Sequence, residues 1–288
     1  MKPWIIYFLC VTIMVTGVSF GMDKLVEQPD LPTISVSVKG EITQMTAEEF
    51  TLRVLLAEGT ELRHKESKKA LAVAARSCGT YLSLFGCKHD DFDVCDNGDC
   101  CFNLGDPTLA ERDYLEKCLI ATQETLGLCL TFENLPAMAL FSLCNGSGSI
   151  DCPEFSYITA VKEEETCQLH TKESVLDFAV LQEIAGCERD ELTQNSVLVY
   201  KDNNKCDFAI LGGKYIKAEE LSKALSTDSG EFALEFTDDG IHTLVYGVGK
   251  GFGLSICGSE KKAESGWDFK EIIENYYPGL TLNKIYAN

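Results

Sequence analysis

The sequence predicts an α+β fold in which helices are mixed with antiparallel hairpins. Apolar residues recur at helical spacing within Met45–Tyr81, and a further helix is predicted near Asp268–Asn275. The strand-like runs Phe232–Phe236 and His242–Tyr246 flank Asp238-Asp239-Gly240, which is a strong hairpin signal. A chain of 288 residues is long enough to bury a sizeable core.

Residues 1–22 form an uncharged apolar run after Lys2, long enough to span a bilayer as one helix. No Ala-x-Ala cleavage pattern is present, and Phe20 stands where a signal peptide needs a small residue. We therefore expect an N-terminal transmembrane anchor rather than a cleaved signal peptide. Either one places the remaining chain outside the cytoplasm. Residues 23–39 are predicted to be a linker that leads into a strand at Thr33–Val38, which leaves residues 40–288 for the folded domain.

The helical stretch holds the main catalytic candidate. Thr46 and Glu49 have the spacing of a capping box that starts one helix, and a second helix is predicted from about Glu66 to Leu84. Glu58 ends the first helix beside Gly59, and a rigid element is a good mount for a catalytic carboxyl. A glutamate at a helix end is more often a solvated surface residue, so this pattern alone leaves both readings open.

The remaining elements are predicted from turn and cap residues. Asp106-Pro107 should open a helix, and Glu133-Asn134 should turn a pair of strands. The other predicted elements are strands at Leu128–Phe132, Pro136–Ser142, Ser196–Tyr200 and Asp207–Leu211 and a helix at Ala218–Leu225. Residues 160–195 have no clear pattern, and Lys162–Glu165 is predicted to be a solvated face.

The charge balance excludes one class of partner. Asp and Glu number 45 against 25 Lys and Arg, for a net charge of −20. A nucleic-acid binder needs a basic surface, and no Lys/Arg cluster is present to supply one. A strongly anionic membrane surface is disfavoured for the same reason.

A cluster of cysteines predicts a metal site. His89, Cys95, Cys100 and Cys101 lie within thirteen residues, and thiolate and imidazole are the usual protein ligands of zinc. The alternative is disulfide pairing, for which Cys87, Cys118 and Cys129 are available as partners.

Several of these stretches resemble the stage II sporulation protein D family. The resemblance is carried by MTAEEF…VLLAE with KKALAVAARS, by CLIATQETLGLCLTFENLPAMALFSLCNGSGS, and by WDFKEIIENYYPG. It covers the chain from about Gly40 to Tyr286 and implies the fold of that family. It also implies a peptidoglycan lytic transglycosylase that acts in endospore engulfment, with Glu58 as the catalytic acid.

The resemblance implies further site residues. Substrate contacts are expected from the polar residues of the matched motifs, which are Arg76, Ser142, Ser147, Lys250 and Ser255. A similar His and Cys pattern binds zinc in the family. His89 and Cys95 match its spacing, and the closing pair falls on Cys100-Cys101, or on Asp99-Cys100 if the loop is aligned one residue shorter. The implied location is the mother-cell membrane facing the forespore. The implied partners are glycan strands, a cell-wall amidase of the stage II sporulation protein P type and other engulfment proteins.

One departure from the family pattern supports an alternative function. The glycine-rich run usually contains Gly-x-Gly-His-Gly, whereas Lys250 stands at the histidine position here and Ile256 replaces a later glutamine. The alternative is a non-catalytic, glycan-binding enhancer of a cell-wall amidase.

Overall fold

The computed structural model describes residues 32–86, 88–98, 101–163, 170–201, 204–227 and 229–286. These residues form the predicted α+β fold, with mainly antiparallel sheets. The anchor predicted at residues 1–22 and most of the predicted linker lie outside the described residues. Among the described helices, none is both long and apolar enough to cross a membrane.

The described part of the chain contains eight helices and fourteen strands. The helices are α1 (Ala47–Glu58), α2 (Lys65–Phe85), α3 (Arg112–Glu124), α4 (Ala179–Ala185), α5 (Arg189–Gln194), α6 (Ala218–Ala224), α7 (Ile256–Glu264) and α8 (Phe269–Tyr276). The strands are β1 (Thr33–Val38), β2 (Glu41–Thr46), β3 (Val94–Cys95), β4 (Leu128–Phe132), β5 (Leu135–Pro136), β6 (Phe141–Ser142), β7 (Thr171–Leu176), β8 (Val197–Tyr200), β9 (Cys206–Leu211), β10 (Lys214–Lys217), β11 (Glu231–Phe236), β12 (Ile241–Tyr246), β13 (Leu254–Ser255) and β14 (Thr281–Lys284).

The strands form five small sheets. Their orders are β2-β1-β3, β14-β4-β5, β13-β6, β11-β12-β7 and β10-β9-β8. Neighbouring strands are antiparallel except in the pairs β1–β3 and β6–β13, which are parallel.

Two hydrophobic cores organise the described residues. The main core is drawn from residues 34–161 and 254–286, and the second core from residues 176–245. The second core is therefore an insertion between two parts of the main one. Helix α2 packs closely within the main core, where a Cβ added at Gly79 would lie 2.6 Å from atoms of Ile34 and Phe50. The alanines of this helix, Ala70, Ala72, Ala74 and Ala75, are completely buried, and their small side chains allow neighbouring elements to pack closely.

Elements with strong local signals occur where they were predicted. The strands β1 and β4 have the predicted bounds, and the hairpin of β11 and β12 is present. The Thr46 hydroxyl accepts a hydrogen bond from the Glu49 N–H at 3.1 Å, so the predicted cap starts α1. Asp268 caps α8 in the same way, with Glu271 completing a capping box.

Two predicted elements were wrong. Asp106-Pro107 does not open a helix, because the Asp106 carboxylate accepts hydrogen bonds from the Thr108 N–H and hydroxyl and closes a turn instead. Helix α3 starts only at Arg112. The strand predicted at Pro136–Ser142 is divided into β5 and β6, and the patternless residues 160–195 contain β7, α4 and α5.

The prediction of a solvated face at Lys162–Glu165 was wrong for Glu163. Its side chain is only 7% exposed and lies 3.0 Å from the Lys262 ammonium. The Tyr276 hydroxyl also donates a hydrogen bond to it. Glu163 is therefore a buried, compensated charge that joins the loop before the insertion to α7 and α8.

A buried ion pair joins the ends of several elements of the main core. Arg76 on α2 is fully buried, and its Nε and Nη2 atoms donate to Glu48 on α1 at 2.9 and 2.7 Å. The guanidinium also donates to the carbonyls of Thr122 and Leu128. Burial alone would lower the pKa of Arg76, but the charge and hydrogen bonds of Glu48 raise it. The predicted substrate contact of Arg76 is contradicted, because a buried and fully engaged guanidinium has no surface to offer a polymer.

We predict that Arg76→Met lowers the free energy of unfolding by about 3–5 kcal/mol, because it leaves the Glu48 carboxylate buried without its counter-charge. Urea denaturation measures this change. The matched control is Arg53→Met, which removes a half-buried ion pair to Glu49, one turn earlier on the same helix, and should cost less than about 1 kcal/mol. Equal effects of the two substitutions would contradict the role given to Arg76.

Candidate functional site

The Glu58 carboxyl lies at the last position of α1 and is half-buried. Its Oε1 atom accepts two hydrogen bonds from Asn103, one from the backbone N–H at 3.1 Å and one from Nδ2 at 2.8 Å. Among the described residues, Oε2 has no hydrogen-bond partner. The carboxyl is thus oriented through one oxygen, and the other remains available to exchange a proton with a substrate.

The segment that carries Asn103 runs against the last turn of α1. The Gly105 N–H donates to the Arg53 carbonyl at 2.8 Å, and a Cβ at Gly105 would lie 2.5 Å from the Leu56 Cβ. A Cβ at Gly98 would likewise lie 2.5 Å from Asn103 Nδ2. Both glycines are therefore needed for the close approach that brings the Asn103 amide to Glu58.

Sequence reasoning identified Glu58 but missed Asn103. Asn103 is 45 residues further along the chain and lies in a loop without periodicity. Its only signal in the sequence is its position two residues after Cys101, at the end of the cysteine cluster.

Two of the predicted substrate residues lie close to the glycine-rich run Gly247–Ser255. The Ser142 hydroxyl accepts a hydrogen bond from the Gly251 N–H at 3.2 Å, and a Cβ at Gly249 would lie 2.9 Å from the Ser142 Cβ. Lys250, between these glycines, is exposed. Ser142 is itself buried and packs against a surface on which Lys250 is exposed, and the glycines permit this close backbone approach.

This surface adjoins the Glu58 site through two aromatic rings. Phe102 precedes Asn103, Phe141 precedes Ser142, and the centroids of the two rings are 5.7 Å apart. The loop that carries Asn103 and the strand that carries Ser142 are consequently packed together.

The other two predicted substrate residues are held in internal contacts. The Ser255 hydroxyl caps α7 by accepting from the Gly258 N–H at 3.1 Å, and its residue is only 2% exposed. This burial contradicts the predicted substrate contact of Ser255. Ser147 is also largely buried, and its N–H donates to Glu231 at 2.8 Å, which anchors the Ser/Gly loop on β11.

The described part of the cysteine cluster has the geometry of a zinc site. The ligand atoms of His89, Cys95 and Cys101 all lie within 4.8 Å of one another, and Cys101 Sγ is 3.5 Å from His89 Nε2. Around a tetrahedral zinc ion with ordinary bond lengths, a thiolate sulfur and an imidazole nitrogen are also about 3.5 Å apart. These three residues therefore fit zinc. The fourth predicted ligand, Cys100, lies outside the described residues.

The disulfide alternative has less support among the described cysteines. Cys95 and Cys101 are not joined by a disulfide, and neither are the suggested partners Cys118 and Cys129. Both of these partners are buried in the protein, where burial raises the pKa of the Cys129 thiol to about 11. Cys87 lies outside the described residues.

Comparison with known proteins adds a family to this geometry. A family model described as "Stage II sporulation protein" matches residues 37–132, a range that includes Glu58, Asn103, His89, Cys95 and Cys101. The curated Stage II sporulation protein D of Bacillus subtilis (strain 168) is 24% identical over 181 residues, which cover 60% of this chain and 53% of that protein. The chain thus spans about half the length of this curated relative. Together, the two matches support the membership of this chain in the stage II sporulation protein D family.

Proposed function

We propose that this chain is a lytic transglycosylase that cleaves cell-wall glycan during sporulation. The family match supports a role in sporulation. The observation that carries the enzymatic proposal is the Glu58 carboxyl, which is held through one oxygen by Asn103 and has its other oxygen without a partner among the described residues.

The proposed reaction uses Glu58 twice. In its protonated form, the carboxyl gives its proton to the oxygen between N-acetylmuramic acid and N-acetylglucosamine while the bond from C1 to that oxygen breaks. The resulting carboxylate then takes the proton of the muramic 6-hydroxyl as that oxygen bonds to C1. The products are a free N-acetylglucosamine 4-hydroxyl and a 1,6-anhydro ring. Most glycosidases need two carboxylates, but here the substrate supplies its own nucleophile.

The remaining residues of the proposed site bind and orient. Asn103 fixes the plane of the Glu58 carboxyl. The exposed Lys250 is the proposed glycan contact on the adjoining surface. The predicted contacts Ser142 and Ser147 are both buried, and they instead hold the glycine-rich run and the Ser/Gly loop in place. The proposed setting is outside the cytoplasm, with residues 1–22 as the membrane anchor. The proposed partners are glycan strands, a cell-wall amidase and other engulfment proteins.

We further propose a structural zinc ion bound by His89, Cys95 and Cys101, with Cys100 as the fourth ligand. Zinc would close the loop two residues before Asn103 and so fix the donor that orients Glu58. Its contribution is structural, because four protein ligands leave no coordination position for a substrate.

The exposed Lys250 at the family's histidine position favours a second function, in which the protein binds glycan and enhances an amidase without cleaving glycan. A lysine ammonium cannot accept a hydrogen bond as a neutral imidazole does. The two functions are separated by the product formed.

We predict that Glu58→Gln lowers the formation of 1,6-anhydro ends by roughly 10²–10⁴-fold, because the amide keeps the shape of the side chain but cannot transfer the proton. Mass spectrometry of purified glycan strands after incubation with the full-length chain measures these ends. Glu41→Gln, at an exposed position on β2, is the matched control and should retain activity.

The enhancer function predicts a different result in the same experiment. The unsubstituted chain would then make no anhydro ends, and it would stimulate a cell-wall amidase to the same extent with and without Glu58→Gln. That outcome would exclude the transglycosylase.

We predict that Asn103→Ala lowers kcat by about 10–100-fold and leaves KM nearly unchanged, because a hydrogen bond to a charged group contributes about 1.5–3 kcal/mol. Initial rates over a range of glycan concentrations measure both constants. A rise in KM with kcat unchanged would show that Asn103 contacts substrate rather than orienting Glu58.

We predict that Cys95→Ser removes zinc, lowers the thermal midpoint and reduces transglycosylase activity, because structural zinc sites contribute folding free energy on the order of 10 kcal/mol. Metal content is measured on protein purified anaerobically without chelator. Cys187→Ser, at a half-buried cysteine of the inserted region, is the control. Unchanged zinc content in Cys95→Ser would contradict the site.

A further inference from the structure

A second group of metal-ligating side chains lies outside the cysteine cluster. The ligand atoms of Glu61, His170 and Cys257 are all within 4.8 Å of one another. Glu61 Oε2 is 2.9 Å from His170 Nε2 and 3.6 Å from Cys257 Sγ. The three residues are far apart in the chain, since His170 and Cys257 follow Glu61 by 109 and 196 residues.

Each of the three residues is mounted on fixed backbone. Glu61 lies in the turn after α1, where the Leu62 N–H donates to the Gly59 carbonyl at 3.0 Å. The His170 carbonyl accepts from the Gly247 N–H at 3.0 Å, immediately before β7. Cys257 is in the first turn of α7, and its N–H donates to the Leu143 carbonyl at 3.0 Å. The positions of the ligands are therefore set by the fold before any ion binds.

The distances suit a tetrahedral ion with mixed ligands. Carboxylate oxygen and thiolate sulfur around zinc are about 3.5 Å apart, close to the observed 3.6 Å between Glu61 Oε2 and Cys257 Sγ. Oxygen and nitrogen ligands need about 3.3 Å, so the 2.9 Å hydrogen bond from His170 to Glu61 would open by a few tenths of an ångström. The Glu61 side chain is 44% exposed, so solvent reaches the site.

A role for Cys257 as a nucleophile fits this arrangement less well than metal binding does. Such a cysteine needs its base in hydrogen-bond contact, with a third group on the far side of the base. Here the Cys257 thiol and the His170 ring both bond to the same Glu61 oxygen. Convergence on one point is the arrangement of ligands around an ion.

We propose that Glu61, His170 and Cys257 bind a divalent ion of the zinc class, with water in the fourth position. Three protein ligands and one water is the usual pattern of an open zinc site. Bound metal would tie the turn after Glu58 to the start of the inserted region and to α7. The proposal is independent of the transglycosylase function, because it rests on a different set of ligands and is measured as metal content.

The test is cobalt titration of the full-length chain, purified anaerobically with a phosphine reductant and stripped of metal. We expect two equivalents of Co²⁺ per chain, one from each cluster, with absorption from thiolate-to-cobalt charge transfer. His170→Gln and Cys257→Ala should each remove one equivalent and leave the other. Cys95→Ser should remove the other equivalent and keep this one.

Two controls separate ligand loss from general damage. His242→Gln removes an exposed histidine that is paired with Asp239 at 3.1 Å, and it should keep both equivalents. Glu61→Gln is a conservative change at a partly exposed position and should weaken Co²⁺ binding at this site alone. The proposal is overturned if His170→Gln and Cys257→Ala bind as much Co²⁺ as the unsubstituted chain.

Discussion

The buried ion pair between Arg76 and Glu48 is the constraint on which the main core depends. Its partners come from the first turn of α1, the middle of α2, the end of α3 and the start of β4. A buried charge that loses its partner costs several kcal/mol, so these elements are stable together in one arrangement only. The orientation of α1 is set at its first turn, and Glu58 at its last turn takes its place from that orientation.

The candidate site shows which of its residues can be predicted from local sequence patterns. The position of Glu58 at the end of a helix could be predicted, because a capping pattern starts that helix and a glycine follows it, whereas its catalytic role was implied only by the family resemblance. The grouping of His89, Cys95 and Cys101 could be predicted because their spacing in the chain is short. Asn103 could not be, because its contact with Glu58 depends on the path of a loop that two glycines allow to approach α1. The Glu61 cluster joins three distant segments and leaves no pattern in the sequence.

The same distinction explains the fold. Strands β1 and β4 and the last hairpin were predicted correctly, since each is bounded by its own turn or cap residues. The predicted start of α3 at Asp106-Pro107 was wrong because an aspartate before proline occurs in turns as well as at helix caps. The prediction that Glu163 is solvated was wrong because its compensating charge, Lys262, comes 99 residues later in the chain. Burial of Arg76 and Ser255 likewise depends on partners that only the folded chain brings together.

The C-terminal part of the described chain has a consequence for biosynthesis. Strand β14 pairs with β4, and the Tyr286 hydroxyl donates to Glu48 at 2.6 Å across 238 residues. A polypeptide is made from its N-terminus, so Glu48 and Arg76 emerge long before the segments that enclose them. Until residue 286 has emerged, the main core stays open and hydrated, and α1 lacks its final support. A nascent chain therefore carries Glu48 and Arg76 without their full set of partners until its synthesis has passed β14.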